Sequence, residues 1–314
     1  MESQIFMFAL SLRALVWTFR IDPYTRSTGS KRKSLSQDIW FDAFDLLFNL
    51  RGIGWSWPQG LRVPQETRNL TSTKRFLLTT LQWLVQDIIA FDFCLYTIQA
   101  MLSKSIGYPT VSIFDPSIPP LLRYVRSTII TIFMAILIHL GIRNHYNLVT
   151  LIGITVFQQP PSLWPPVSDR PYNATSLTQF WNTRWHQSFR DIFIQCGGRP
   201  LAHFLGKTGG ILGGFLISGI LHDIGCWGMG RGPDFKSISG FFLMNGVGII
   251  LERVYKTLTG KQVGGFAGRI WTFSWLLIWG SLLIDAWCKH GLGATTFWPT
   301  HLSPTFHVHK LLFP

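Results

Sequence analysis

The stretch Gly209 to Trp227, GGILGGFLISGILHDIGCW, constrains this chain more than any other. It is long enough for a helix to cross a bilayer, which takes roughly 20 residues. It also carries a histidine, His222, near its end. An ionisable group at that depth is costly and faces a protein interior or a wet cavity, so its default reading is functional. The plainer alternative is a core histidine hydrogen-bonded to a neighbouring helix. Ser218 lies one helical turn before it, and Gly213, Gly214 and Gly219 let neighbouring helices come close.

Similar runs recur at Arg75 to about Leu102, Tyr124 to Gly141, Ile238 to Tyr255 and Ile270 to Trp287. Only 14% of the 314 residues are charged, against about 25% in soluble domains. Together with a mean hydropathy of +0.25, this predicts an all-α, multi-pass membrane bundle with amphipathic interfacial helices. Residues 1–74 read as an N-terminal interfacial and cytosolic segment, and 75–314 as the membrane domain. The net charge of +13 lies mainly between spans, where the positive-inside rule and anionic lipid headgroups account for it without nucleic acid. Cys94, Cys196, Cys226 and Cys288 are far apart, which gives neither a metal signature nor a disulfide framework. The apolar N-terminus contains Arg13 and lacks the layout of a cleaved signal peptide, so it reads as an interfacial or short membrane helix.

Polar residues refine the topology. Asp87 and Asp92 place the first span inside a bundle. Arg143, Asn144 and His145 read as a break after the second span, which carries His139. Leu148 to Phe157, at half of span length, then reads as re-entrant. That puts Arg143 and the arginine-rich segment 158–208 on one side and leaves five full spans. Lys31-Arg32-Lys33 reads as a solvated cytosolic loop, and Arg51-Gly52-Ile53-Gly54-Trp55-Ser56-Trp57-Pro58 as a turn with interfacial tryptophans. Asn69 and Asn173 head glycosylation patterns but lie in segments read as cytosolic, hence unmodified.

Segment 158–208 opens with four prolines, then offers Ser176-Leu177-Thr178-Gln179, which resembles a capping box. A surface helix over about 177–194 follows from it. Phe180, Arg184 and Gln187 fall on one side, and Trp181, Trp185 and Phe189 form an aromatic stripe. Further on, Asn245 and Glu252 lie seven apart, on one face of their span.

Phe180-Trp181-Asn182-Thr183-Arg184-Trp185-His186, followed by Ser218-Gly219-Ile220-Leu221-His222, resembles the wax synthase branch of the membrane-bound O-acyltransferases. The RGIGW stretch and the span FFLMNGVGIILE (241–252) resemble the same branch, in particular fungal enzymes that acetylate terpenoid or meroterpenoid alcohols. The resemblance runs from about Leu12 to Trp287. Family members carry further spans before the stretch matching SLRALVW, near which this chain begins.

The resemblance implies a lipophilic alcohol acceptor and acyl-CoA, most simply acetyl-CoA, as cosubstrate, with no bound cofactor or metal. It implies an endoplasmic reticulum location among membrane lipids. His222 becomes the general base, since a buried neutral imidazole suits proton abstraction near neutrality. His186 would orient the thioester or stabilise the oxyanion, or else is a surface residue. Arg184 and Arg190 would hold CoA phosphates or touch headgroups. Trp181, Trp185, Asn182 and Asn245 would line the substrate path, Asn182 equally serving as a structural hydrogen-bonder. Glu252 reads as a structural ion pair with a base on another helix. Asp223, adjacent to His222, faces elsewhere and forms no dyad. The alternatives are long-chain acyl transfer to a fatty alcohol, a non-metal membrane terpene cyclase or a transporter. A metal-dependent prenyltransferase would have only Asp42 and Asp45 to hold magnesium.

Overall fold

The computed structural model describes residues 2–27, 35–58, 60–102, 111–228, 232–295 and 299–312. Helices dominate it: α1 (Glu2–Thr18), α2 (Leu35–Phe48), α3 (Thr73–Met101), α4 (Pro120–Thr155), α5 (Arg190–Cys226), α6 (Phe235–Thr259), α7 (Gly265–Lys289) and α8 (Pro304–Leu312). Helices α3 to α7 are each long and apolar enough to cross a membrane. They pack in the order α3, α4, α7, α6, α5, with α1 against α5 and α8 against α3. The main core lies among α3, α4, α6 and α7, around Phe91, Ile98, Ile130, Phe242 and Trp287.

Local chemistry sets the boundaries. Pro120 at the first turn starts α4, where its missing N–H has no helical partner to lose. The Asp234 carboxylate caps α6 by accepting from the Ser237 N–H at 3.2 Å. Gly260, at φ 71°, ends the helix in the left-handed region. As expected, Asp87 and Asp92 are buried in the bundle. Asp87 pairs with Arg143 of α4 at 3.1 Å. Asp92 accepts from the Ser303 hydroxyl and the Thr305 N–H, fixing α8.

Three expectations need correction. First, α4 is one continuous helix of 36 residues, about 54 Å long at 1.5 Å per residue. Arg143, Asn144 and His145 do not break it, because none of them breaks helices and Arg143 has its counter-charge on α3. Leu148 to Phe157 is therefore the last part of a long helix that ends at Thr155, and the charge count that placed Arg143 in a loop falls away. Second, Trp55 and Trp57 are not interfacial anchors but buried residues. The Trp55 indole donates to Asp45 at 2.7 Å, and Gly52 (φ 64°) lets the chain fold against the Trp57 ring. Third, the surface helix over 177–194 does not form. Lys31 to Lys33 lie outside the described residues.

The apolar α5 is not a straight rod. Gly206 (φ 60°, ψ −152°) occupies a region open essentially to glycine alone, and the chain folds back there. A Cβ on Gly213 would overlap the carbonyl of Gly197, and Gly198 lies against the carbonyl of Gly210. In a straight helix residues 197 and 213 would stand about 24 Å apart. Residues 190–205 and 207–226 are thus two antiparallel limbs with a glycine seam. The second limb corresponds to the histidine span read from sequence. Its Gly219 meets Ser239 of α6, where an added Cβ would stand 2.7 Å from the Ser239 Cα.

Candidate active site

The stretch from Ser176 to Phe189 forms the floor of the candidate site. It begins as expected of a cap: Ser176 Oγ accepts from the Gln179 N–H at 2.9 Å, and Gln179 Oε1 accepts from the Thr175 N–H at 2.8 Å. The helix stops after one turn. Residues 180–184 widen, so that the Trp185 N–H reaches the Phe180 carbonyl five residues back at 2.8 Å. Trp185 is then extended (ψ 160°). Widening keeps Phe180 in the aromatic column, stacked on Trp185 at 5.4 Å, whereas a regular helix would have placed it on the other side.

Two α6 residues hold this segment. Among the described residues Glu252 forms no ion pair, contrary to expectation. Its Oε1 accepts from the Leu177 N–H at 2.6 Å and the Trp271 indole at 3.0 Å, and its Oε2 from the Thr178 N–H at 2.9 Å and hydroxyl at 2.6 Å. One buried carboxylate thus satisfies donors that a helix start leaves open. Two helical turns away, Asn245 is fully buried. It accepts from the Trp181 indole at 3.0 Å and donates to the Phe241 carbonyl at 2.9 Å. Trp181 lies edge-on to Phe215 at 5.6 Å. Asn245 therefore fixes Trp181, and both its polar groups are engaged.

Both histidines of the motifs arrive in this aromatic interior. His222 packs against Phe242 at 4.4 Å between ring centres and lies near-parallel to Trp287 at 6.3 Å. Its Nδ1 stands 2.7 Å from the Ser218 carbonyl. A carbonyl can only accept, so Nδ1 carries the proton and Nε2 keeps its lone pair in the neutral ring. Asp223 takes no part, as expected: its Oδ1 accepts from the Asp234 N–H at 2.7 Å.

His186 adjoins Trp185 and Phe189, at 5.5 and 6.3 Å. Its Nδ1 is buried with no hydrogen-bond partner among the described residues. Burial, and then the electrostatic influence of His222, His139 and Arg51, hold its pKa down at about 3. It is therefore neutral at any physiological pH. The fold also brings His139 of α4 to this cluster, its ring 5.7 Å from Trp185. As an ionisable residue on a span, His139 carried the same sequence signal as His222.

The remaining candidates lie further out. Asn182 is exposed, and its carbonyl accepts from the Gln187 side chain. Arg184 donates to the Asp169 carbonyl at 3.1 Å and pairs with its carboxylate at 3.4 Å, tying down the preceding loop. Arg190 lines a small recess with Arg51, Leu61, Gln187 and Asp191. Sequence reasoning missed Arg51 as a latch. Buried, it donates to the Pro165 and Pro166 carbonyls, both at 2.8 Å, and to the Tyr146 hydroxyl. It also missed Gln187, whose Oε1 accepts from the Arg62 N–H at 3.3 Å. Asp42 and Asp45 are held by Arg26 at 2.5 and 3.2 Å, and Asp45 also by Trp55. Both are thereby committed to structure.

Residues 164–244 match the membrane bound O-acyl transferase family. The resemblance read in the motifs is borne out. Acetyltransferase spyB of Aspergillus fumigatus is 26% identical, over 45% of this chain and 28% of its own. The long-chain-alcohol O-fatty-acyltransferase of Simmondsia chinensis is also 26% identical, over 42% of this chain and 40% of its own. Acetyltransferase sirH of Emericella nidulans is 22% identical over 81% of this chain and 60% of its own. The chain thus spans between about a quarter and three fifths of the length of these relatives. The matched stretch contains both motif histidines, Trp181, Trp185 and the fold-back at Gly206.

Proposed function

We propose that this chain is the catalytic part of an O-acyltransferase that moves an acetyl group from acetyl-CoA to the hydroxyl of a lipophilic alcohol. A terpenoid or meroterpenoid of secondary metabolism is the acceptor class. His222 Nε2 takes the hydroxyl proton as the alcohol oxygen attacks the thioester carbonyl carbon. The tetrahedral intermediate collapses with loss of the C–S bond. The CoA sulfur leaves and recovers the proton from the imidazolium, giving ester and thiol. A general base of this kind is worth 10²–10⁴-fold in rate. His186, neutral and with its Nδ1 buried, orients the thioester carbonyl. Trp181 and Trp185 wall the path, with Asn245 setting Trp181. Arg190 meets the CoA phosphates, and Arg184 with Asn182 shapes the entrance.

The single observation that carries this reading is the 2.7 Å contact between His222 Nδ1 and the Ser218 carbonyl. With Nδ1 so committed, Nε2 is left as the free base of a ring packed against Phe242 and Trp287. Acetyl is preferred over longer acyl groups because two of the relatives above are acetyltransferases by name. The plant relative favours a second reading, long-chain acyl transfer to a fatty alcohol. Residues 75–314 form the membrane acyltransferase domain in this proposal, residues 1–74 lie at its interface, and the endoplasmic reticulum is the compartment.

The test uses microsomes expressing wild type and His222→Ala at equal abundance, given labelled acetyl-CoA with a terpenoid extract. Labelled ester from the wild type alone supports the proposal. Equal ester from both removes His222 as base, and label from palmitoyl-CoA alone transfers the case to the second reading.

A further inference from the structure

A base takes a proton well only when the hydroxyl that bears it is held in place, and that task needs a second group. Trp287, near the end of α7, is the candidate that the reaction scheme above does not use. It is only 6% exposed, and its ring lies near-parallel to His222, with the planes 24° apart. Its indole nitrogen is buried without a partner among the described residues. An indole N–H can only donate, and a buried donor left unpaired is costly, so it calls for a partner. Other tryptophans of the bundle pair theirs: Trp181 with Asn245, Trp271 with Glu252 and Trp275 with the Met244 carbonyl. Trp57 and Trp164 also leave theirs open, but these rings pack against the backbone of Gly52 and Gly153, and neither has a ring contact with His139, His186 or His222 among the described residues.

We infer that the Trp287 N–H binds the acceptor alcohol, donating to the hydroxyl oxygen whose proton His222 removes. The inference rests on the acyl-transfer reading and deepens it. A hydroxyl has one proton to give and lone pairs to receive. With Trp287 as donor and His222 as acceptor, both functions of one oxygen are used. The oxygen is then oriented before attack, and its N–H contact persists as negative charge develops on it. Trp287 is thus a further catalytic residue beside His222 and His186, one that touches the acceptor, and it discriminates alcohols from hydrocarbons of the same shape.

The test replaces Trp287 with phenylalanine and, separately, with 3-benzothienylalanine, whose ring keeps the indole shape with sulfur in place of N–H. Acetyl transfer to 1-hexadecanol and to farnesol is measured with wild type and both variants, and with His222→Ala as reference. The expected result is roughly a ten-fold rise in KM for the alcohol in both variants, the loss of one hydrogen bond. KM for acetyl-CoA should stay within about two-fold, and inhibition by the matching deoxy analogue should not change. An unchanged alcohol KM in the benzothienyl variant overturns the inference while leaving the His222 scheme intact. A benzothienyl variant that transfers normally while phenylalanine fails assigns Trp287 to packing, and overturns it too. Absence of His222-dependent transfer in the wild type removes the acyl-transfer reading, and this inference with it.

Discussion

Glu252→Gln isolates the anchor of the motif segment. The carboxylate accepts from four donors on two oxygens. A glutamine amide keeps one oxygen and places an NH₂ where the other was. The Thr178 hydroxyl can turn to accept from that NH₂. The Thr178 N–H, which shares that oxygen, is left facing another donor. A hydrogen bond to a charged group is worth about 1.5–3 kcal/mol. With one bond lost and another weakened, the cost is about 2–4 kcal/mol. At roughly 2–4 °C per kcal/mol for a domain of this order, the melting temperature should fall by roughly 4–16 °C. The assay is thermal unfolding in detergent with a thiol-reactive dye, for which buried Cys94, Cys226 and Cys288 are the reporters. Turnover should fall with it, because Trp181, Trp185 and His186 all follow this anchor in the chain. A variant melting within about 2 °C of wild type with unchanged kcat would refute the claim that Glu252 positions the site.

Gly206→Ala should destabilise by about 1–3 kcal/mol through backbone strain alone, since an added Cβ there meets nothing within 4 Å; the same dye melt reads it. Gly213→Ala should do worse, forcing the limbs apart at Gly197, and should cost activity even where protein accumulates. His186 ionises only near pH 3 in the folded protein, and near 6.5 in an unfolded chain. The unfolded state therefore binds more protons between those values. This contribution to stability is full above about pH 6.5 and is lost as pH falls toward 3. His186→Gln should flatten the acid side of a stability-against-pH curve. Arg51→Lys keeps the charge but loses the fork that spans two carbonyls, and should lower the melting temperature by several degrees.

The spans were legible because apolar length and the cost of buried charge are properties of the sequence itself. Asp87 and Asp92 announced a bundle interior, and His222 announced a site. Sequence periodicity misled where tertiary contacts set the backbone. The stretch from Leu177 to Ile194 has helical spacing, yet the pull of Glu252 at its start and Asn245 on Trp181 draws it into wide turns and an extended step. Arg143 looked like a loop residue because its partner, 56 positions earlier, cannot be seen in a linear charge count. Trp287 gave no signal at all. Tryptophans are common in this chain, and only the packing reveals that its N–H is open beside a base.

The fold-back at Gly206 also bears on how the chain is made. Residues 190–205 carry Arg190, Asp191, Arg199 and His203, a poor stretch to hand to lipid, whereas 207–226 is a strong one. The polar limb is synthesised first, and its seam contacts at Gly197 and Gly198 need Gly213 and Gly210 of the limb that follows. A substitution that thickens this seam should therefore act first on biogenesis. The nascent chain would be diverted to degradation, and the defect would register as missing protein before it registered as slow chemistry.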